Sequence, residues 1–255
     1  MFYHNLNPVL LRLGPIEIRY YGLFFLIGFI IAYYMLIHLS KKKGLALSKD
    51  DIADFMMYLV IGVILGARII YVVVYNLDFY LTNPLEIVAI WHGGLSFHGG
   101  LIGSIIAGMI FCKKKNLHFL ELADILVIPA SLGLVFGRLA NFINGELVGR
   151  ITNLSWAVKF PCCEGFRHPS QIYEAIKNLI IFFTLWNIGK KKFPKGTLFF
   201  MFIMMYSLLR FFIEFFREPD TQIGFVIFGL TMGQILNMLM FLAGAVFMMR
   251  VYKRD

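Results

Sequence analysis

Runs of about 18 to 23 residues with few or no charges recur along this chain, each long enough to cross a hydrocarbon core of roughly 30 Å as a helix. Seven such windows are expected, at 20–39, 52–75, 96–112, 121–138, 170–188, 197–217 and 228–249. The composition agrees, because 59% hydrophobic residues, 16% aromatic residues and a mean hydropathy of +0.75 lie far outside the soluble range. The fold class is therefore all-α, a polytopic integral membrane protein with about seven transmembrane helices. No soluble domain remains outside the windows, so residues 1–255 are expected to form one transmembrane domain, with 139–169 as a small external cap. The first window lacks a basic start and an A-x-A-like site, and reads as a retained anchor rather than a cleaved signal.

A formal charge of +9 raises the question of nucleic acid, but the lysines form no recognition face. Their placement is topological. Lys41, Lys42, Lys43 and Lys49 separate windows one and two, Lys113 to Lys115 separate three and four, Lys190 to Lys192 and Lys195 separate five and six, and Arg250, Lys253 and Arg254 follow the last. The alternate loops carry only Lys159, Arg138, Arg150, Arg167 and Arg217, so the positive-inside rule puts the N-terminus outside and the C-terminus in the cytoplasm. Cys112, Cys162 and Cys163 are too few for a disulfide framework and have no metal-ligand spacing. Cys112 reads as a small apolar residue; the adjacent Cys162 and Cys163 fall in the external segment, where oxidation is possible, and receive no role.

With the orientation set, the polar residues inside the windows gather toward the outer ends. They are Arg19 and Tyr21, Arg68, His98, Arg138 and Asn141, Gln171 and Glu174, Arg210, Glu214 and Arg217, and Gln234. The inner-end acids Asp51, Asp54, Glu121 and Asp124 sit in first helical turns, where the helix dipole suits them. The outer set needs more, since an ionised side chain at mid-membrane costs at least about 2.5 to 3.5 kcal/mol on insertion scales. Tyr206, Arg210, Glu214 and Arg217 follow at helical spacing and are expected to line one face. Arg210–Glu214 is either a packing pair or part of a site, and Arg217 either snorkels to headgroups or joins that site. His98, amid Gly93, Gly94, Gly99 and Gly100, is either a helix-to-helix hydrogen bond or a neutral imidazole able to take a proton. Ser96 does not read as a nucleophile, because His98 stands where the final glycine of G-x-S-x-G belongs. Finally, "GRLANFINGELVGR" at 137–150 offers two guanidiniums and asparagine amides, a donor-rich surface for phosphate or a set of loop caps.

At these residues the chain resembles the prolipoprotein diacylglyceryl transferases of the bacterial cytoplasmic membrane. The signature at 137–149 is joined by "RYYG" at 19–22, "GAR" at 66–68, "SFHGG" at 96–100, "RHPSQIYE" at 167–174, "YSLLRFFIEFFREPD" at 206–220 and "TMGQIL" at 231–236. The departure from the family pattern is "PCCEGF" at 161–166, in the cap. The resemblance implies an enzyme that moves the diacylglyceryl group of phosphatidylglycerol onto the lipobox cysteine thiol of a prolipoprotein, with glycerol phosphate leaving. It places Tyr21, His98, Arg138, Asn141, Glu146, Gly149, Tyr206, Arg210 and Glu214 at positions tied to activity or lipid binding, with Arg68, Gln171, Glu174 and Arg217 as further motif residues. It implies no metal and no cofactor. In this reading His98 is the base, Arg138 and Arg210 clamp the phosphate, and the other residues orient lipid and arginines. A transporter or flippase would also need charge in a cavity, but its polar path should continue through the inner halves, which here are almost wholly apolar. A scaffold would not need charges from so many helices at one depth.

Overall fold

A computed structural model of the chain describes residues 1–218, 225–227 and 229–254. Pro219 and Asp220 of the sixth-window motif, and Phe228 at the start of the seventh window, lie outside the described residues. Each apolar window coincides with a helix. These are α1 (Tyr20–Lys43), α2 (Lys49–Ile70), α4 (Phe97–Lys115), α5 (Phe119–Asn144), α6 (Ser170–Ile188), α7 (Thr197–Ile213) and α8 (Met232–Arg254), with a short α3 (Leu77–Thr82) after α2. Five are long and apolar enough to cross a membrane: α1, α2 with the π-turn that extends it to Tyr75, α5, α7 with its 3-10 extension, and α8. The protein is thus an all-α, multi-pass membrane protein. Among the described residues, the strands form three two-stranded ladders: β1 (Phe2–Tyr3) with β4 (Val158–Lys159), β2 (Val9–Leu13) with β3 (Ile16–Arg19), and β5 (Phe225–Ile227) with β6 (Leu230–Thr231).

Two helix ends differ from the expectation. The fourth window was expected to close at Arg138, but α5 runs on to Asn144 and stops where Gly145 takes a positive φ of 68°. A left-handed residue after the last turn is the usual helix stop, and glycine adopts it without a Cβ clash. In the sixth window the α-helix ends at Ile213, Glu214 begins a 3-10 turn, and Arg217 is extended. The expected four-residue stripe therefore holds only from Tyr206 to Glu214; Arg217 leaves it.

The chain forms two compact units: Met1–Met35 with Ala123–Asp255, and Leu36–Leu122. In the second unit α2 and α4 approach along Gly62, Gly66, Gly99 and Gly103, a G-x-x-x-G spacing on each helix. A Cβ on Gly66 would lie 2.3 Å from the Gly99 carbonyl oxygen, and one on Gly103 would lie 2.0 Å from that of Gly62. Small residues let the backbones touch where lipid supplies no hydrophobic drive for helix association. The start of α2 carries a capping box between Ser48 and Asp51, and Asp51 also pairs with Lys115, which accounts for that inner-end acid.

In the first unit Asp124 does more than complement its own helix dipole. Its carboxylate accepts from the backbone N–H groups of Gly196 (2.7 Å) and Phe199 (2.8 Å) and so caps the start of α7. Thr231 and Gln234 cap α8 reciprocally: the Gln234 carbonyl accepts from Thr231 N at 3.0 Å, and Thr231 Oγ1 accepts from Gln234 N at 3.2 Å. The segment after α5 is tied down on several sides. Gly149 pairs with Arg217, Ile151 and Val158 with Arg167, and Phe2–Tyr3 with Val158–Lys159. Cys162 and Cys163 are joined in a vicinal disulfide.

Candidate active site

Three cations of the first unit meet at one buried carboxylate. Along α6 the buried residues Ser170, Gln171, Glu174, Ala175, Lys177, Asn178, Ile181 and Leu185 follow a helical period, so its buried face is polar at the N-terminal end and apolar beyond. Glu174, only 3% exposed, is the centre of that polar end. Its Oε2 accepts from Lys177 Nζ at 2.7 Å and lies 3.8 Å from Arg138 Nε, while Oε1 lies 2.9 Å from Arg210 Nε. Arg210 also pairs with Glu214 one turn along, and Glu214 Oε1 accepts from Thr231 Oγ1 at 3.1 Å. Three helices, α5, α6 and α7, thus each send a cation to Glu174.

A second string of hydrogen bonds leads from Arg138 into the signature. Arg138 Nη1 donates to Asn141 Oδ1 at 3.5 Å, and Asn141 Nδ2 donates to Glu146 Oε1 at 2.7 Å. Because α5 continues through this stretch, Arg138 and Asn141 stand three residues apart on one helical face. Gln171 Nε2 donates to the Glu146 carbonyl oxygen at 2.6 Å and Ser170 Oγ to that of Leu147 at 2.8 Å, fixing the turn to the start of α6. Gly149 serves a close approach: a Cβ there would lie 2.5 Å from the carbonyl oxygens of both His168 and Phe216. Arg150 Nε donates to the Arg217 carbonyl oxygen at 2.9 Å, so these two arginines tie the segment to the end of the α7 extension.

Tyr206 stands over the lysine, with Lys177 Nζ 3.7 Å from its ring centroid. Tyr21, in the first turn of α1, is more than a third exposed and stacks on Phe25 at 5.1 Å. His98 and Arg68 belong to the second unit. His98 occupies the first turn of α4, exposed, with its ring edge-on to Phe97, directly before the Gly99 contact with α2.

Arg68 is 4% exposed, lies over the Tyr80 ring at 5.1 Å and gives its hydrogen bonds to backbone carbonyls. Its Nε donates to the Ile87 oxygen (2.9 Å), Nη1 to those of Gly93 and Gly94 (3.0 Å for the latter), and Nη2 to those of Glu86 and Ala89 (3.2 Å for the latter). Five N–H donors thereby meet five carbonyls, and the loop leading into α4 is wrapped around one guanidinium. Gly94, at φ 73°, leaves room for that guanidinium and the Tyr71 ring.

Sequence reasoning passed over Lys177 and Thr231. Lys177 has a visible signal, a lysine inside an apolar window three residues after an acid, which sets it apart from the lysines that mark loops. Thr231 had none beyond its place before Gln234. An open cavity of about 550 Å³ lies at the cap, lined by Tyr3, His4 and residues 159–164 with the disulfide, and includes none of the expected site residues.

The comparisons with known proteins agree with the motif pattern. The family model for prolipoprotein diacylglyceryl transferase matches residues 8–250. Three relatives bear the name phosphatidylglycerol–prolipoprotein diacylglyceryl transferase. The one from Geobacter sulfurreducens is 46% identical over 256 residues, covering 100% of this chain and 98% of its own length. That from Rickettsia bellii is 44% identical over 253 residues, covering 96% and 95%, and that from Bordetella avium is 43% identical over 253 residues, covering 98% and 96%. With nearly the whole length matched and the motif residues Arg138 and Arg210 meeting at Glu174, this chain belongs to the prolipoprotein diacylglyceryl transferase family.

Proposed function

We propose that the protein transfers the diacylglyceryl group of phosphatidylglycerol to the lipobox cysteine of prolipoproteins, the first step of bacterial lipoprotein maturation. The observation that carries this reading is the meeting of Arg138 and Arg210 on one buried carboxylate, Glu174. Arg138 and Arg210 bring two forked donors to one place, and a phosphodiester is the anion whose geometry and charge suit such a pair. Tyr206, Glu214, Asn141 and Glu146 orient the two arginines and the headgroup, and Gln171, Gly149 and Arg217 hold the signature turn. Tyr21 belongs to the lipid-binding set, and Arg68 supports the reaction by shaping the loop before α4.

In the transfer a sulfur–carbon bond forms at the glyceryl carbon and the carbon–oxygen bond to phosphate breaks. Glycerol phosphate departs with the electron pair, and the thiol proton goes to a base. A thiol with a pKa near 8.5 is mostly protonated at neutral pH, so the base matters; His98 is the proposed one. The arginines stabilise the charge that grows on the departing oxygen, an effect strengthened away from water. Seven helices cross the bacterial cytoplasmic membrane in this reading, with the N-terminus and the site toward the outer leaflet. The partners are phosphatidylglycerol, the prolipoprotein and the bilayer; nucleic acid, metal and cofactor have no part.

The test is transfer of lipid from phosphatidylglycerol to a lipobox peptide by purified protein in detergent, with no gradient. Arg138→Lys and Arg210→Lys are each expected to lower kcat/KM on the order of 100-fold, the scale of losing a positioned donor to developing charge. Near-normal turnover in both removes phosphate clamping. Full turnover of His98→Gln across pH 6 to 8 assigns the proton to another group.

A further inference from the structure

Among the described residues, the ion-paired cluster is not electrically balanced. Arg138, Lys177 and Arg210 contribute three positive charges, and Glu174 and Glu214 contribute two negative ones. Glu146 stands apart, exposed and bonded to the Asn141 amide rather than to a cation. Without Lys177 the two arginines and two glutamates would cancel, each guanidinium having its own carboxylate. Lys177 is 2% exposed, donates to the same Glu174 oxygen that faces Arg138, and is sealed beneath the Tyr206 ring. Glu174 Oε2 is 2.7 Å from Lys177 but 3.8 Å from Arg138, so the lysine takes the carboxylate and the arginine is held only loosely.

Building on the phosphatidylglycerol reading, we propose that Lys177 is a positioning residue: it occupies Glu174 so that Arg138 is released to bind one phosphodiester monoanion. The surplus of one positive charge is neutralised by a lipid headgroup carrying one negative charge. A buried net charge is costly, and its cost falls when the anion enters, so affinity for the headgroup is built into the cluster. The lysine itself never touches the lipid. Its ammonium is covered by the aromatic ring and its charge acts through Glu174 and Arg138.

The test uses the full-length protein in dodecylmaltoside, with equilibrium binding of phosphatidylglycerol measured beside KM and kcat of transfer. Lys177→Met is expected to weaken binding and raise KM roughly tenfold or more, as loss of a charge-assisted contact would, with kcat little changed. Lys177→Arg restores binding. Adding Glu174→Gln to Lys177→Met returns the surplus to one and recovers affinity. Glu174→Gln alone raises the surplus to two and tightens binding, which decides the matter even if the methionine variant does not fold. Wild-type affinity in Lys177→Met, binding by Lys177→Arg as weak as by Lys177→Met, or no gain of affinity in either Glu174→Gln protein overturns the proposal. Failure of the wild type to transfer lipid overturns the functional reading instead, and leaves the binding comparison standing.

Discussion

At Glu174 and at Tyr173, neighbours in sequence, two kinds of polar burial occur side by side. Glu174 collects full charges; the Tyr173 hydroxyl collects neutral donors and acceptors. It accepts from Trp156 Nε1 at 2.8 Å and lies 3.0 Å from His168 Nδ1. The phenol oxygen thus takes the indole hydrogen and shares a second hydrogen bond with the His168 ring, as donor or acceptor according to the imidazole's tautomer. Burial pushes the His168 imidazole below its ordinary range. The sign follows from linkage. The unfolded chain binds a proton on this histidine at a higher pH than the folded one does, so its contribution is complete above about pH 6.5 and is lost as pH falls toward the depressed value. Melting temperature measured from pH 8 down to pH 5 should therefore fall less in His168→Gln than in the wild type; parallel curves would show that His168 does not titrate on unfolding. Arg138, Arg210 and Glu214 could be read from the sequence because a charge inside an apolar window requires a partner. The five-carbonyl grip on Arg68 could not, because its partners are main-chain atoms of a loop whose path no side-chain pattern encodes.

Helices were legible as elements because their length in the membrane is fixed by hydrocarbon thickness, and less so at their ends. The continuation of α5 past Arg138 places Arg138 and Asn141 on one face, and the stop comes from a backbone requirement at Gly145 rather than from loss of apolar character. Likewise α7 tightens at Glu214, which turns Arg217 away from the stripe and into the ladder with Gly149. The α2–α4 contact was legible only as a glycine-rich stretch, since one sequence does not say which helix approaches. Its close geometry gives a clear expectation. Gly66→Ala puts a methyl group 2.3 Å from the Gly99 oxygen, and backbone must move on both helices. Overpacking of this kind costs about 1 to 3 kcal/mol, and thermal unfolding in detergent should register it. Gly133→Ala, inside α5 where an added Cβ meets nothing within 4 Å, is the control and should melt no lower than the wild type. Equal melting of both variants would mean that the α2–α4 approach tolerates separation.

For the whole molecule, the lysine clusters bear on how many helices cross. The basic residues Lys41 to Lys43 end α1 and Lys113 to Lys115 end α4. If only the five longest apolar helices crossed, α4 would return to the side it came from, and Lys113 to Lys115 would lie opposite Lys41 to Lys43. The segment with the signature turn and the disulfide would then share a side with Lys190 to Lys192. With α4 and α6 also crossing, every lysine cluster falls on one side and the segment between α5 and α6 on the other, the distribution that insertion favours. The charges on the polar face of α6 do not oppose its crossing, because Glu174 and Lys177 have ionic partners within the first unit. The two arrangements separate experimentally at Lys114 and Asn153. In a background with Cys112, Cys162 and Cys163 replaced, Asn153→Cys should react with an impermeant maleimide in intact spheroplasts, and Lys114→Cys only after permeabilisation. Reaction of Lys114→Cys in intact cells would return the chain to five crossings and put the signature turn on the cytoplasmic side, away from any substrate presented on the outer surface.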